Sequence, residues 1–195
     1  MKDWGEVSEI FEKISGNAFK KELNNDSEAQ TRFDVIDRII KEVLQWEHGQ
    51  ISVEPHSKGG RNGFIDYKLT AGDFSIIVEA KKIGATFPSP TKRKKLKLTG
   101  SILGTGEISL ALKQAEDYAF NEDADVVMVT NGDCWCFYPL ERGKNKDLIF
   151  ATLLFPFIDT ADAEELFNIF AVGNVENQSL DDLTTKNPIE INNRL

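Results

Sequence analysis

"FIDYKLTAGDFSIIVEAKK", residues 64–82, is the stretch of sequence that decides the fold. Its second half places apolar residues at alternate positions, Phe74, Ile76, Val78 and Ala80, which predicts a β-strand with one buried face. The four residues "TAGD" separate this strand from an apolar run before it and predict a tight turn. The stretch therefore predicts an antiparallel β-hairpin, around which the rest of the fold is expected to be built.

The position of the loop determines which residues face each other across this hairpin. A two-residue loop at Ala71-Gly72 would pair Thr70 with Asp73 and would place Asp66 opposite Ile77. The apolar residues of the first strand are then expected to face the core together with those of the second: Ile65, Tyr67 and Leu69.

Three charged residues are expected to share the opposite face of the hairpin: Asp66, Glu79 and Lys81. Two carboxylates that lie close together repel each other unless a cation lies between them. Mg²⁺ prefers oxygen ligands and keeps several waters, and Mn²⁺ is expected to substitute for it. A neighbouring lysine can stabilise charge on a phosphate. This pattern indicates phosphodiester hydrolysis, although a solvent-exposed hairpin face with a Glu–Lys pair has the same spacing.

Helices precede the hairpin, and helices alternate with strands after it. The helix predicted near residues 27–46 has an apolar stripe and, on another face, Glu28 and Arg32. After the hairpin come a helix over residues 107–123, two strands joined by a turn at Asn131-Gly132, one more strand and a short helix. This order predicts an α/β fold with a mixed sheet. The apolar stripe of the second helix consists of Phe33, Ile36, Ile40, Val43 and Leu44.

Composition restricts the class of protein. The 195-residue chain contains no apolar run long enough for a membrane span and no pattern of a signal peptide, so we expect a cytoplasmic protein with no membrane partner. Cys134 and Cys136 lie two apart in a predicted strand and lack further zinc ligands, which indicates buried thiols.

The net charge of −9 argues against a nucleic-acid partner when it is taken alone. A dense run of cations breaks this acidic background within residues 87–107, which we interpret as a long exposed loop. Net charge says little about such a local field. The run, here called the basic run, consists of Lys92, Arg93, Lys94, Lys95 and Lys97.

Four segments with distinctive residue spacings occur one after another along the chain. The helix "SEAQTRFDVIDRIIKEVLQWE" has a glutamate before a Thr-Arg pair, and "FID" is followed after 12 residues by "EAK". "KQAEDYA" has a Gln-x-x-x-Tyr spacing, and "VVMVTNGDCWCFY" reads as strand, turn and strand. Together they resemble the PD-(D/E)XK nuclease superfamily, and more closely the N-terminal nuclease domain of type I restriction enzyme R subunits. The chain departs from the pattern at Ile65, where the superfamily has proline, and in the basic run.

The resemblance implies a restriction-endonuclease-like mixed sheet whose core is a helix, a three-strand meander, a helix and a strand. This chain would add helices at its N-terminus and a further strand and short helix at its C-terminus. The expected divisions are an N-terminal helical extension (residues 1–25), a nuclease domain (26–170) and a polar tail or linker (171–195).

The resemblance also implies roles for individual residues. Asp66 and Glu79 would hold Mg²⁺, and Lys81 would be the catalytic lysine. Further residues of the active site would be Glu28, which supports the metal site from the helix, and the pair Gln114 and Tyr118.

The function that follows is a Mg²⁺-dependent endonuclease acting on DNA in restriction or phage defence, with the basic run binding DNA phosphates beside the active site. The partner would be either a helicase or other motor subunit or a C-terminal domain. The chain lacks a G-x-x-x-x-G-K-[ST] loop, so no nucleotide site is supported. Two alternatives stay open: a nucleic-acid-binding module that does not cleave, and a scaffold domain.

Overall fold

A computed structural model describes residues 2–22, 27–57, 63–85, 95–97, 106–140, 147–152 and 160–176. These residues form one sheet of seven strands in the order β1–β2–β3–β5–β6–β7–β4. Only β3 and β5 are parallel, and the other neighbours are antiparallel. The strands are β1 (Ile51–Val53), β2 (Tyr67–Ala71), β3 (Phe74–Ala80), β4 (Lys95–Lys97), β5 (Val126–Thr130), β6 (Cys134–Pro139) and β7 (Asp147–Thr152).

Helices flank this sheet, which confirms the predicted α/β class with a mixed sheet. Helix α1 is Trp4–Glu22. Helix α2 begins as an α-helix at Glu28–Thr31 and continues through two π-helical segments, Arg32–Ile36 and Ile39–Val43. A short 3₁₀ turn, His48–Gln50, precedes β1. The later helices are α3 (Gly106–Asn121), α4 (Thr160–Phe170) and α5 (Val172–Glu176).

The hairpin of β2 and β3 has a different register from the predicted one. Ala71 pairs with Phe74 and Thr70 with Ser75, so the loop is Gly72-Asp73 and the expected pairing of Thr70 with Asp73 is wrong. Gly72 has a φ of 58°, and the first position of a two-residue loop is where a positive φ favours glycine. The register is therefore shifted by two residues, and its continuation sets Asp66 opposite Glu79 instead of Ile77.

Each face of the sheet is covered by a hydrophobic core, so side chains on either face of β3 are shielded from solvent. Ile76, Val78 and Ala80 belong to the larger core beneath α1, α2 and α4, whereas Ile77 belongs to a second core beneath α3. Ile65 also lies in this second core, so its predicted position on the face of Tyr67 is wrong. The alternation breaks here because the chain bends at Asp66.

Helix α2 presents the predicted apolar stripe at every position except Phe33. Ile36, Ile40, Val43 and Leu44 are buried as predicted, whereas Phe33 is 69% exposed. The stripe was predicted for a helix of 3.6 residues per turn, and Phe33 lies in a π-helical segment, whose wider turns change the side that a residue faces. Ser27 caps α2, since its hydroxyl accepts a hydrogen bond from the amide of Gln30.

Three predicted boundaries need correction. The interpretation of residues 87–107 as a loop is wrong at Lys95–Lys97, which form β4. The tail predicted from residue 171 begins too early, since Val172 and Val175 of α5 pack on the larger core; residues 177–195 lie outside the described residues. Helix α1 contributes Val7, Phe11 and Ile14 to that same core and is therefore part of it.

Candidate active site

Asp66 and Glu79, here called the acidic pair, lie together with Lys81 at the open end of the β2–β3 hairpin. Lys81 Nζ lies 2.6 Å from Glu79 Oε1. Asp66 Oδ2 accepts a hydrogen bond of 2.8 Å from the amide of Ala80, the residue between them. The amide of Lys81 donates to the carbonyl of Thr130 at the end of β5. The predicted convergence of these three side chains is therefore present, and both neighbouring strands hold it in place.

Burial gives Glu79 an unusual electrostatic environment. Its side chain is 2% exposed, and Oε2 is a buried oxygen that has no hydrogen-bond partner. Burial, followed by the negative charge of Asp66, raises the pKa of Glu79 to about 7, although the hydrogen bond from Lys81 acts in the opposite direction. A carboxyl group in this state is half protonated near neutral pH, and a bound cation would favour its ionised form.

Lys81 stays charged in this environment. Burial lowers its pKa, but the hydrogen bond and charge of Glu79, with smaller effects of Glu28 and Asp66, outweigh burial and raise the pKa above its ordinary value. An ammonium group is therefore held at the edge of the site, with a side chain that is only partly exposed.

A guanidinium group links the acidic pair to helix α2. Arg32 Nη1 lies 3.1 Å from Asp66 Oδ1 and 3.0 Å from Glu54 Oε1. Arg32 Nε donates to the hydroxyl of Tyr67, and this hydroxyl donates in turn to Asp37. Burial lowers the pKa of Arg32, but the hydrogen bond to Tyr67 and the charge of Asp66 outweigh it and raise the pKa. Arg32 is thus a permanent cation that orients Asp66.

The residue before Arg32 connects α2 to the chain beyond Lys81. The hydroxyl of Thr31 accepts a hydrogen bond of 2.9 Å from the amide of Ile83 and donates to the carbonyl of Ser27. Thr31 is buried. The Thr-Arg pair therefore contacts the hairpin on both sides of the site, one residue through β2 and the other through the segment after β3.

Sequence reasoning assigned no role to Arg32 or Thr31. One signal was present, because Glu28 and Arg32 lie four apart on a face that does not join the apolar stripe. The partner of that face could not be identified, since Asp66 lies 34 positions further along the chain.

The remaining predicted residues lie at different distances from the acidic pair. Glu28 is exposed and acts on Glu79 and Lys81 through its charge, raising the pKa of both. Gln114 Nε2 lies 3.4 Å from the hydroxyl of Tyr118 on α3. That hydroxyl packs against Gly63, where an added Cβ would come within 2.2 Å of it. Tyr118 therefore positions the chain that leads into Asp66.

The basic run is only partly described. Lys92, Arg93 and Lys94 lie outside the described residues, and Lys95 and Lys97 belong to β4 at the far edge of the sheet. Four strand spacings separate β4 from β3, which is about 19 Å. This end of the run is therefore not beside the acidic pair, contrary to the prediction that the whole run lies next to the active site.

The acidic pair fits a hard divalent cation. Glu79 Oε2 is unpaired, and each oxygen of Asp66 accepts one hydrogen bond and so retains a second lone pair. Within the described ranges, no group of three or more His, Cys, Asp or Glu side chains is arranged to hold a metal ion. A metal ion here would therefore take most of its ligands from water and phosphate, as Mg²⁺ commonly does.

Other predictions concern residues away from the site. Cys134 and Cys136 are both buried and form no disulfide, as predicted. Trp135 and Phe137 are buried core residues. No helix in the described part of the chain is long and apolar enough to cross a membrane.

The comparisons with known proteins returned no match: no family model, no curated protein and no solved structure is significantly similar to this chain.

Proposed function

We propose that this chain is a Mg²⁺-dependent endodeoxyribonuclease of the PD-(D/E)XK type. The observation that carries the proposal is the cluster of Asp66, Glu79 and Lys81 around a buried, unpaired carboxylate oxygen, Glu79 Oε2. A carboxylate oxygen left without a partner in the interior is unfavourable unless it serves a ligand. A cation bound by the acidic pair would relieve this, and Lys81 would stay available for a phosphate.

The order of elements supports the finer fold assignment. Helix α2 is followed by the meander β1–β2–β3, by the short edge strand β4, by helix α3 and by β5, which pairs with β3 in parallel. Apart from the inserted β4, this is the order that the sequence resemblance implies. The proposed setting, restriction or phage defence together with a motor subunit or a C-terminal domain, rests on the resemblance alone.

In this proposal each charged residue of the cluster has its own role in hydrolysis. Asp66 and Glu79 would hold Mg²⁺, which supplies Lewis-acid activation of the phosphodiester. Lys81 would orient the attacking water and stabilise the negative charge that develops on the phosphate. Arg32 would keep Asp66 in the orientation required for this binding.

A second candidate function is a nucleic-acid-binding module that does not cleave. The observation that favours it is the state of the carboxylate oxygens: three of the four in the acidic pair already accept a hydrogen bond or an ion pair from the protein. Such a site is nearly satisfied without metal. Cleavage assays distinguish the two functions directly.

The test is incubation of the purified chain with plasmid and with labelled oligonucleotides, with and without Mg²⁺ or Mn²⁺. We expect cleavage that requires metal and is lost in the Asp66→Asn and Glu79→Gln variants. Titration calorimetry should detect weak binding of Mn²⁺ to the wild type and none to the double variant. DNA binding without cleavage under every metal condition would establish the second candidate instead.

A further inference from the structure

The antiparallel ladder of β1 and β2 continues beyond the two strands, toward residues 57 and 63. The amide of Glu54 donates to the carbonyl of Asp66, that of Ile65 to Pro55, and that of Ser57 to Gly63. His56 and Phe64 form a bridge within this extension. Backbone hydrogen bonds therefore fix the chain immediately before Asp66.

Two aromatic rings project from this extension. Phe64 is 54% exposed and His56 is also exposed, and the centroids of their rings lie 4.3 Å apart with a tilt of 40°. The neighbours of Phe64 are anchored, since Ile65 is fully buried and Gly63 packs against the hydroxyl of Tyr118. A rigid backbone thus holds a large apolar ring in water, at a free-energy cost that a ligand can offset.

The position of this ring pair relates it to the acidic pair. Phe64 precedes Asp66 by two residues, or about 7 Å of extended chain. His56 follows Glu54 by two residues, and Glu54 contacts Arg32, which orients Asp66. The same short ladder therefore carries both the aromatic surface and a proposed metal ligand.

We propose that Phe64 and His56 form a stacking subsite for a nucleobase, and that the substrate is DNA with unpaired bases next to the cleaved phosphate. This inference rests on the proposed function. Aromatic side chains bind bases of any identity through their π-faces. In a duplex each base is already stacked between its neighbours, so only a single strand or a separated end can occupy the subsite without losing that stacking.

The test compares the affinity of four proteins for two DNA molecules by fluorescence anisotropy. The proteins are the wild type, Phe64→Ala, Phe64→Trp and, as the control, Phe120→Ala; the DNA molecules are a labelled oligothymidylate and a labelled duplex of equal length. Phe120 is 59% exposed and lies on α3, so its replacement removes a ring of similar exposure elsewhere. EDTA is present throughout, so that no DNA is cleaved.

We expect Phe64→Ala to weaken single-strand binding by roughly 5- to 150-fold, the range for the loss of one base–aromatic stack. Duplex binding should change little, Phe64→Trp should restore single-strand affinity, and Phe120→Ala should resemble the wild type. His56→Ala should weaken single-strand binding to a smaller degree, because it removes the ring that supports Phe64.

Two results would overturn the subsite while leaving the nuclease proposal intact. One is that Phe64→Ala binds single-stranded DNA as tightly as the wild type does, while the wild type cleaves duplex DNA in the presence of metal. The other is an equal loss of affinity for both DNA molecules in Phe64→Ala. The absence of cleavage, with single-strand binding that still depends on Phe64, would refute the nuclease proposal and leave base stacking standing.

Discussion

Two lysine–glutamate ion pairs lie along the same hairpin, and they differ in the surroundings of the glutamate. Lys68 Nζ is 3.0 Å from Glu122, and Lys81 Nζ is 2.6 Å from Glu79. The side-chain exposures are similar, 21% and 5% in the first pair and 23% and 2% in the second. In the second pair another carboxylate, Asp66, raises the pKa of the glutamate, and this glutamate has a buried oxygen without a hydrogen-bond partner.

This comparison shows what separates a structural ion pair from a candidate site. A buried lysine–glutamate pair by itself fits a role in holding α3 onto the hairpin, as Lys68 does. At the open end each carboxylate has its own cation, Arg32 for Asp66 and Lys81 for Glu79, but Glu79 Oε2 is still without a hydrogen-bond partner. A buried carboxylate oxygen without a partner is unfavourable for folding alone, which is why it indicates binding of a cation.

The largest expected effect comes from removing each lysine in turn. Lys81→Ala should reduce metal-dependent cleavage by about a hundred- to a thousandfold, the range for losing a group that stabilises transition-state charge. Lys68→Ala, which removes a lysine of equal exposure, should change the rate by less than about tenfold. Initial rates at saturating DNA measure both. Similar rates for the two variants would remove the distinction between the pairs.

The second effect concerns stability and compares two arginines of α2. Arg32→Ala breaks contacts with Asp66, Glu54 and Tyr67, and should lower the free energy of unfolding by about 1.5–3 kcal/mol, the range for losing a hydrogen bond to a charged group, because Asp66 loses its cation. Arg38→Ala breaks an exposed pair with Glu42 and should lower it by less than about 1 kcal/mol.

Urea denaturation without metal measures the effect of both arginine variants. Arg32→Lys supplies a further comparison, since it keeps the charge but not the planar fork that contacts several acceptors at once. Equal stabilities of Arg32→Ala and Arg38→Ala would mean that Arg32 does not hold Asp66 in solution.

The third effect is a loss of stability as pH rises. A carboxylate that is stabilised in its ionised form by an ordinary ion pair would give the opposite trend. The pKa of Glu79 is raised from 4.5 to about 7 in the folded protein, so between these values the folded state keeps a proton that the unfolded chain has lost. Stability should therefore fall as pH rises from about 4.5 to 7, by about 3 kcal/mol in all.

Glu79→Gln cannot ionise and should lack this loss of stability. Urea denaturation of metal-free protein at pH 5 and pH 8 compares the two proteins. The opposite result is a wild type that gains stability from pH 5 to pH 8 relative to Glu79→Gln. It would show that Glu79 is stabilised in its ionised form, as an ordinary partner of a lysine is.

The smallest effect concerns the far edge of the sheet. If bound DNA extends from the acidic pair to β4, replacing Lys95 and Lys97 with Gln should reduce the slope of log affinity against log salt by about two units, near one for each phosphate contact. The control is the double variant Lys2→Gln, Lys13→Gln; Lys13 lies on α1 and Lys2 lies two residues before its first residue, Trp4. Equal slopes for the wild type and the variant with Lys95 and Lys97 replaced would show that β4 does not contact the bound DNA.

Local pattern was sufficient to predict much of this molecule. Alternation along residues 74–80 predicts β3 and places Glu79 and Lys81 on one face, and this depends only on the geometry of a single strand. The glycine-containing turn predicts the hairpin, and the order of helices and strands predicts a mixed sheet. These features were correct because each is specified within a few residues.

The position of the hairpin loop and the contacts between distant residues decided the rest. The register shifted by two because Gly72, with its positive φ, occupies the first loop position, and the continuation of this register sets Asp66 opposite Glu79. Arg32 contacts Asp66, which lies 34 positions further along the chain. Strand β4 pairs with β7 at the edge of the sheet away from the hairpin. The burial that raises the pKa of Glu79 also comes from packed helices and strands. Pairing partners and desolvation depend on the assembled fold, so the sequence determined which residues could form a site and the tertiary structure decided their environment.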